Sequence, residues 1–259
     1  MIELRDGSTT EDPRLDRLVS ARTDHLEKYP LTAATLPAKP TPMAAGLNWY
    51  TGLDQPQQRR INGRTYSVIG AGSLGSIRGG HAVCLRPWDV TDNVDWWEFY
   101  DQGVEGRCCE FAVLRVLSLL NRKRYDITSR WLYWQAQRND EWAGGSYPDA
   151  SPVYEGTSVR AALDVAKKWG AIPARPGGAA IDPAAAASQV RLDEGIAVYR
   201  WATNWADVRT VLNVPDWLPG VPLLNSWGRY GYPHEVILLD EAGDRLRREN
   251  GEFGVATDR

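Results

Sequence analysis

Cysteine is scarce in this chain, and charge of either sign is nearly balanced. Three cysteines stand in 259 residues, Cys108 and Cys109 adjacent and Cys84 apart. An odd, sparse set excludes a secreted disulfide framework and fits a reducing compartment. The net charge is -3 and the sequence pI about 5.7, so no basic excess is available to hold nucleic acid through its phosphates. No run approaches the roughly 18 apolar residues of a membrane span, so no membrane partner is expected. Residues 1–14 are charged and lack the apolar stretch of a signal peptide, which points to the cytoplasm. Phenylalanine is rare too, three against twelve tryptophans; these read as core and wall residues and carry no function by themselves. A chain of this length buries a large core without metal or disulfide staples.

Residues 1–45 read as an N-terminal arm, charged at first and then proline-rich, followed by one domain over residues 46–259. Strands are expected at residues 46–50, 65–69 and 81–85, with a polar loop between the first two. Residues 108–121 are apolar all round, as in a buried central helix. Further helices are expected at residues 127–138, from a Thr157-Ser158 cap through Trp169 with Gly170 ending it, at 205–212 and at 244–249. A short one follows Asp182-Pro183, and strands are expected at 196–201, 223–226 and 235–239. Strand-rich ends around a helical middle predict an α+β fold of two lobes.

The stretch that carries chemistry is Gln102-Gly103-Val104-Glu105-Gly106-Arg107-Cys108. A cysteine at a helix N-terminus feels the positive end of the backbone dipole, which favours thiolate over thiol. Arg107 adds to this if its side chain turns toward the sulfur. The Gln102 amide and the Cys108 backbone N–H are candidate donors to an oxyanion. The plainer alternative is that Cys108 and Cys109 are both small core residues of a buried helix. Glu105 and Glu110 read as ordinary carboxylates at a helix start, and Cys109 as structural and facing elsewhere.

That stretch, followed by Phe111-Ala112, resembles the active-site segment of the papain-like (C1) cysteine peptidases. Asp95-Trp96 upstream, Glu155-Gly-Thr-Ser-Val159 downstream, Asn225-Ser-Trp-Gly228 and Gly79-Gly-His-Ala82 resemble further motifs of the family. Together they span most of residues 46–228 and are most similar to the compact, prodomain-less members encoded by actinobacterial phages. The resemblance implies a papain-like fold, with a helical lobe and a β-barrel-like lobe. It implies a Cys108–His81–Asn225 triad with Gln102 as oxyanion donor, and Trp227 shielding the Asn–His hydrogen bond. No cofactor and no metal is called for.

The order of the parts departs from the family. There the histidine follows the cysteine; here His81 precedes Cys108, while Asn225 still follows it. A catalytic constellation is defined by geometry and not by chain order, so a transposed segment can supply the base. Three histidines exist. His25 lies in the charged arm. His81 enters an apolar strand behind a Gly-Gly pair, which lets backbone pass close to a substrate. His234 in Tyr232-Pro-His-Glu-Val keeps the family order and is the alternative base, with Asn250 as its partner.

One motif points elsewhere. Gly70-Ala-Gly72-Ser-Leu-Gly75 is a literal dinucleotide fingerprint, but the fingerprint needs a helix to open at its end, and none is expected there. Likewise His81 and the three cysteines lack the spacing of a zinc site. The expected activity is therefore hydrolysis of peptide or amide bonds, in a peptide or protein substrate such as a cell-wall peptide or a phage structural protein. For a phage-encoded enzyme the setting is host cytoplasm or virion. The alternative is an inactive papain-like scaffold serving as a virion or host-binding protein.

Overall fold

The computed structural model describes residues 31–70, 72–88, 100–224, 235–248 and 252–258. Its centre is an eight-stranded mixed sheet: β1 (Met43–Tyr50), β2 (Gln57–Ile61), β3 (Arg64–Ile69), β4 (Ile77–Leu85), β5 (Ile196–Trp201), β6 (Gly220–Leu224), β7 (Glu235–Leu239) and β8 (Glu252–Asp258). The strand order is β2-β3-β7-β6-β4-β1-β8-β5, and β3 with β7 is the parallel pair. Among the described residues five α-helices accompany it: α1 (Cys108–Asn121), α2 (Trp131–Asn139), α3 (Val159–Lys168), α4 (Trp205–Val211) and α5 (Asp240–Arg248). The α+β class expected from the sequence is what forms. None of these helices is long and apolar enough to cross a membrane.

Period-two alternation of β1 and β4 feeds two separate cores. Met43, Ala45, Leu47 and Trp49 of β1, with Val83 and Leu85 of β4, join α4, α5 and Leu31 on one side. Ala44, Ala82 and Cys84 join α1, α2 and α3 on the other. Helix α1, buried from Cys108 to Leu119, lies across β4, β1 and β8. That position explains why its sequence has no polar face.

Several elements differ from the sequence reading, each for a local reason. Strand β1 starts at Met43, three residues early, and the preceding chain is tied down by hydrogen bonds from Leu31 N to Trp201 O (3.0 Å) and Thr41 N to Val211 O (3.0 Å). Strand β2 occupies the expected polar loop. It is an edge strand with mostly exposed side chains, so it lacks apolar alternation, and it is joined to β3 by Asn62-Gly63. Those two residues have φ of 46° and 81°, the left-handed pair that a tight hairpin turn requires. Helix α2 starts at Trp131, not at residue 127, because the Asp126 carboxylate accepts from the N–H groups of Thr128 (2.9 Å) and Ser129 (3.1 Å) and folds that stretch into a turn. Helix α5 starts at Asp240, earlier than expected, with Asp240 and Glu241 in its first turn. Strand β8 was not foreseen. Residues 173–194 hold three short 3-10 turns, one of them at Ala186–Gln189 after Asp182-Pro183.

Candidate active site

Strand β4 presents His81 and helix α1 presents Cys108 to each other. Along β4, Gly79 has φ of 153° and lies opposite Trp49, beside a register slip between Trp49 and Tyr50. Two positions on, His81 pairs with Leu47 and is buried. Its ring meets the Trp49 indole edge to face, with centroids 4.9 Å apart and planes at 82°. Trp49 is held in turn by its Nε1–H, which donates to Asp54 Oδ1 at 2.8 Å. The imidazole thus contacts one core through Trp49 and reaches the other at Cys108, to whose sulfur it is hydrogen-bonded.

The Cys108 thiol is held well below its ordinary pKa. The adjacent Cys109 thiol, hydrogen-bonded to it, is the largest cause; the hydrogen bond and charge of His81 and the Ala82 backbone N–H act the same way. Burial opposes them, for Cys108 is only 7% exposed. Cys109 therefore does not face elsewhere, as its sequence position suggested. Its single thiol proton has two acceptors in reach, Cys108 and the Thr157 carbonyl at 2.8 Å. Cys84 is the contrast: burial pushes its thiol up to about 12.

Gln102 is buried, and its Nε2 donates to the Glu105 carbonyl at 2.9 Å. The same carbonyl accepts from Arg107 N at 2.9 Å, while Gly106 N donates to Glu155 Oε2 at 2.8 Å. Arg107 does not turn to the sulfur. Its Nη1 donates to Glu110 Oε2 (3.1 Å) and to the Ile127 carbonyl (2.9 Å). Its Nε lies 2.9 Å from Glu105 Oε2, an ion-pair contact whose angle falls short of a hydrogen bond. The guanidinium is attracted to carboxylates, and two are within reach.

Glu110 is no ordinary helix-start carboxylate either. It is fully buried, and burial pushes its carboxyl up to about 7; Arg107 pulls it down and Asp126 up. Glu105 behaves as expected of a paired carboxylate. Hydrogen bonds from Arg130 hold it below the usual range. The sequence reading gives Glu110 only a bland role and gives Trp49 no role beyond its strand. A charged residue inside an otherwise apolar helix was the available signal for Glu110; Trp49 gave none, because its partner lies across the sheet.

Asn225, Trp227 and His234 lie outside the described residues, as do Asp95-Trp96, His25 and Asn250. The strands bounding the middle segment are described. β6 runs antiparallel to β4 toward its His81 end and stops at Leu224, opposite Cys84, while Leu224 also pairs with Glu235 at the start of β7. The glycine fingerprint is followed by strand β4, not by a helix, so it offers no helix N-terminus to a pyrophosphate. Compared with family models, curated proteins and solved structures, the chain finds no match in any of the three.

Proposed function

We propose that the protein is a papain-like cysteine peptidase, hydrolysing peptide or amide bonds at Cys108, with its helical and sheet portions serving as the family's two lobes. The observation that carries this reading is that β4 and α1 bring His81 to Cys108 at the first turn of a buried helix, where Cys109 first and His81 with it hold the thiol well below its ordinary pKa. A thiolate paired with an imidazole is a competent acyl-transfer nucleophile.

In this mechanism the Cys108 sulfur adds to the scissile carbonyl. The Gln102 amide and the Cys108 backbone N–H donate to the resulting oxyanion, and His81 delivers its proton to the leaving amine. Water, deprotonated by the same imidazole, then cleaves the thioester and regenerates the thiolate. Asn225 is assigned to orient His81, supported by the direction of β6, which heads toward the histidine end of β4. Trp227 is assigned to shield that bond, and His234 is the alternative base. Cell-wall peptides and phage structural proteins are the proposed substrates.

A screen of peptide libraries and cell-wall fragments tests the reading. Cys108→Ala and His81→Ala should each lower turnover by on the order of 1,000-fold or more. Full activity in Cys108→Ala would overturn it. The second reading, an inactive scaffold, is favoured by the 7% exposure of Cys108. A peptide epoxide or vinyl sulfone separates the two: selective modification of Cys108, lost in His81→Ala, supports the enzyme.

A further inference from the structure

Four charged side chains surround the loop that carries Gln102, and the proposed reaction has not used them. Loop 102–107 contains Gly103, at φ of 63° with open space around it, and Gly106. A loop with two glycines has backbone freedom that must be removed before a donor at its start can be aimed. The Glu105 carbonyl, which accepts from Gln102 and from Arg107 N, sets the direction of the amide. The side chain of that same residue is pinned by Arg130, whose Nε and Nη2 donate to its two oxygens at 2.8 and 2.7 Å. Arg107 contacts it from the other side and is itself anchored on Glu110, two residues past the nucleophile, and on the Ile127 carbonyl.

We propose that Glu105, Arg107, Glu110 and Arg130 form an ionic clamp that positions the Gln102 amide as oxyanion donor to Cys108. This rests on the hydrolase reading. A buried ion pair seldom outperforms an apolar pair of equal size as a source of stability. What it supplies is direction, because a guanidinium holds two carboxylates in fixed orientation. The clamp joins the oxyanion loop to the helix of the nucleophile through Glu110 and to the start of α2 through Arg130. The four are positioning residues; none is assigned a contact with substrate.

Two reagents distinguish positioning from mere support. A peptide aldehyde adds Cys108 sulfur to its carbonyl, and the hemithioacetal oxygen needs the oxyanion donors. Iodoacetamide alkylates the same thiolate by displacing iodide, with no oxyanion formed. In Arg107→Met, aldehyde affinity should fall about 10-fold or more while the alkylation rate at Cys108 changes less than about 2-fold. Arg107→Lys, which keeps charge but loses the fork, should fall between wild type and Arg107→Met. Should Arg107→Met fail to fold, Arg130→Met decides, since its side chain is 38% exposed and its loss leaves Glu105 held by Arg107. Aldehyde affinity and alkylation that both stay unchanged, or both fall in parallel, would overturn the clamp alone. A wild-type protein that takes neither reagent would overturn the hydrolase reading and the clamp with it.

Discussion

Cys84, Cys108 and Cys109 are chemically the same residue in three settings, and burial alone does not rank them. Cys84 and Cys108 are both buried, yet one thiol is pushed up to about 12 and the other held low, because only Cys108 has donors aimed at its sulfur. Alkylation at pH 6–7 should therefore modify Cys108 and spare Cys84 until the protein unfolds, as peptide mapping by mass spectrometry would reveal. Cys109→Ala should shift the half-maximal alkylation of Cys108 to higher pH, and Cys109→Ser should restore part of the shift through its hydroxyl. A pH profile unmoved by Cys109→Ala would remove Cys109 from the account. Glu110 is paired with Arg107, yet burial outweighs the pair and shifts its carboxyl in the opposite direction to that of Glu105. Its folded pKa of about 7 lies above its ordinary 4.5, so the neutral form favours the folded state. That contribution is full below pH 4.5 and lost as pH rises through 7. Relative to Glu110→Gln, wild type should lose roughly 3 kcal/mol between pH 4 and pH 8 in denaturant melts. Of these residues, Cys108, His81 and Gln102 were legible in the sequence because a helix start and a glycine pair mark them. The roles of Cys109, Trp49 and Glu110 depend on who faces them across the sheet or under the helix, and no local pattern records that.

The elements themselves were most legible where burial and end signals coincide. Helix α3 has both: Ser158 Oγ accepts from Ala161 N at 3.1 Å, and Gly170 turns the chain at φ of 94°. Ser158→Ala should cost about 1 kcal/mol in chemical denaturation. Gly170→Ala should cost more, since a Cβ there would stand 1.9 Å from the Arg191 carbonyl oxygen, as well as adopting an unfavourable φ. Helix α1 and strands β5 and β7 fall at their expected bounds, because each is an apolar run bounded by polar or turn residues. Strand β2 hid behind its polarity. Its membership in the sheet comes from backbone pairing with β3 and from the Asn62-Gly63 turn, a signal present in the sequence but outweighed by the surrounding glutamines and arginines.

At the scale of the whole molecule, two cores share one sheet, and the proposed nucleophile and base sit where the cores meet. The strand order was not legible. β8 lies between β1 and β5, pairing Val255 with both Met43 and Arg200, and the first of these neighbours lies most of the chain away. Ending the chain after Arg248 removes an inner strand carrying the buried Phe253. Cooperative thermal unfolding should be lost in that truncation, and a sharp near-wild-type melt would show that β8 is dispensable.

The seat of α1 on β4, β1 and β8 has a consequence in time as well as in space. Of the eight strands, β8 is the last that a ribosome delivers, while Cys108 emerges far earlier. The floor beneath that helix is therefore completed late in synthesis, and until then the growing polypeptide carries α1 with part of its apolar surface open to neighbours on the polysome.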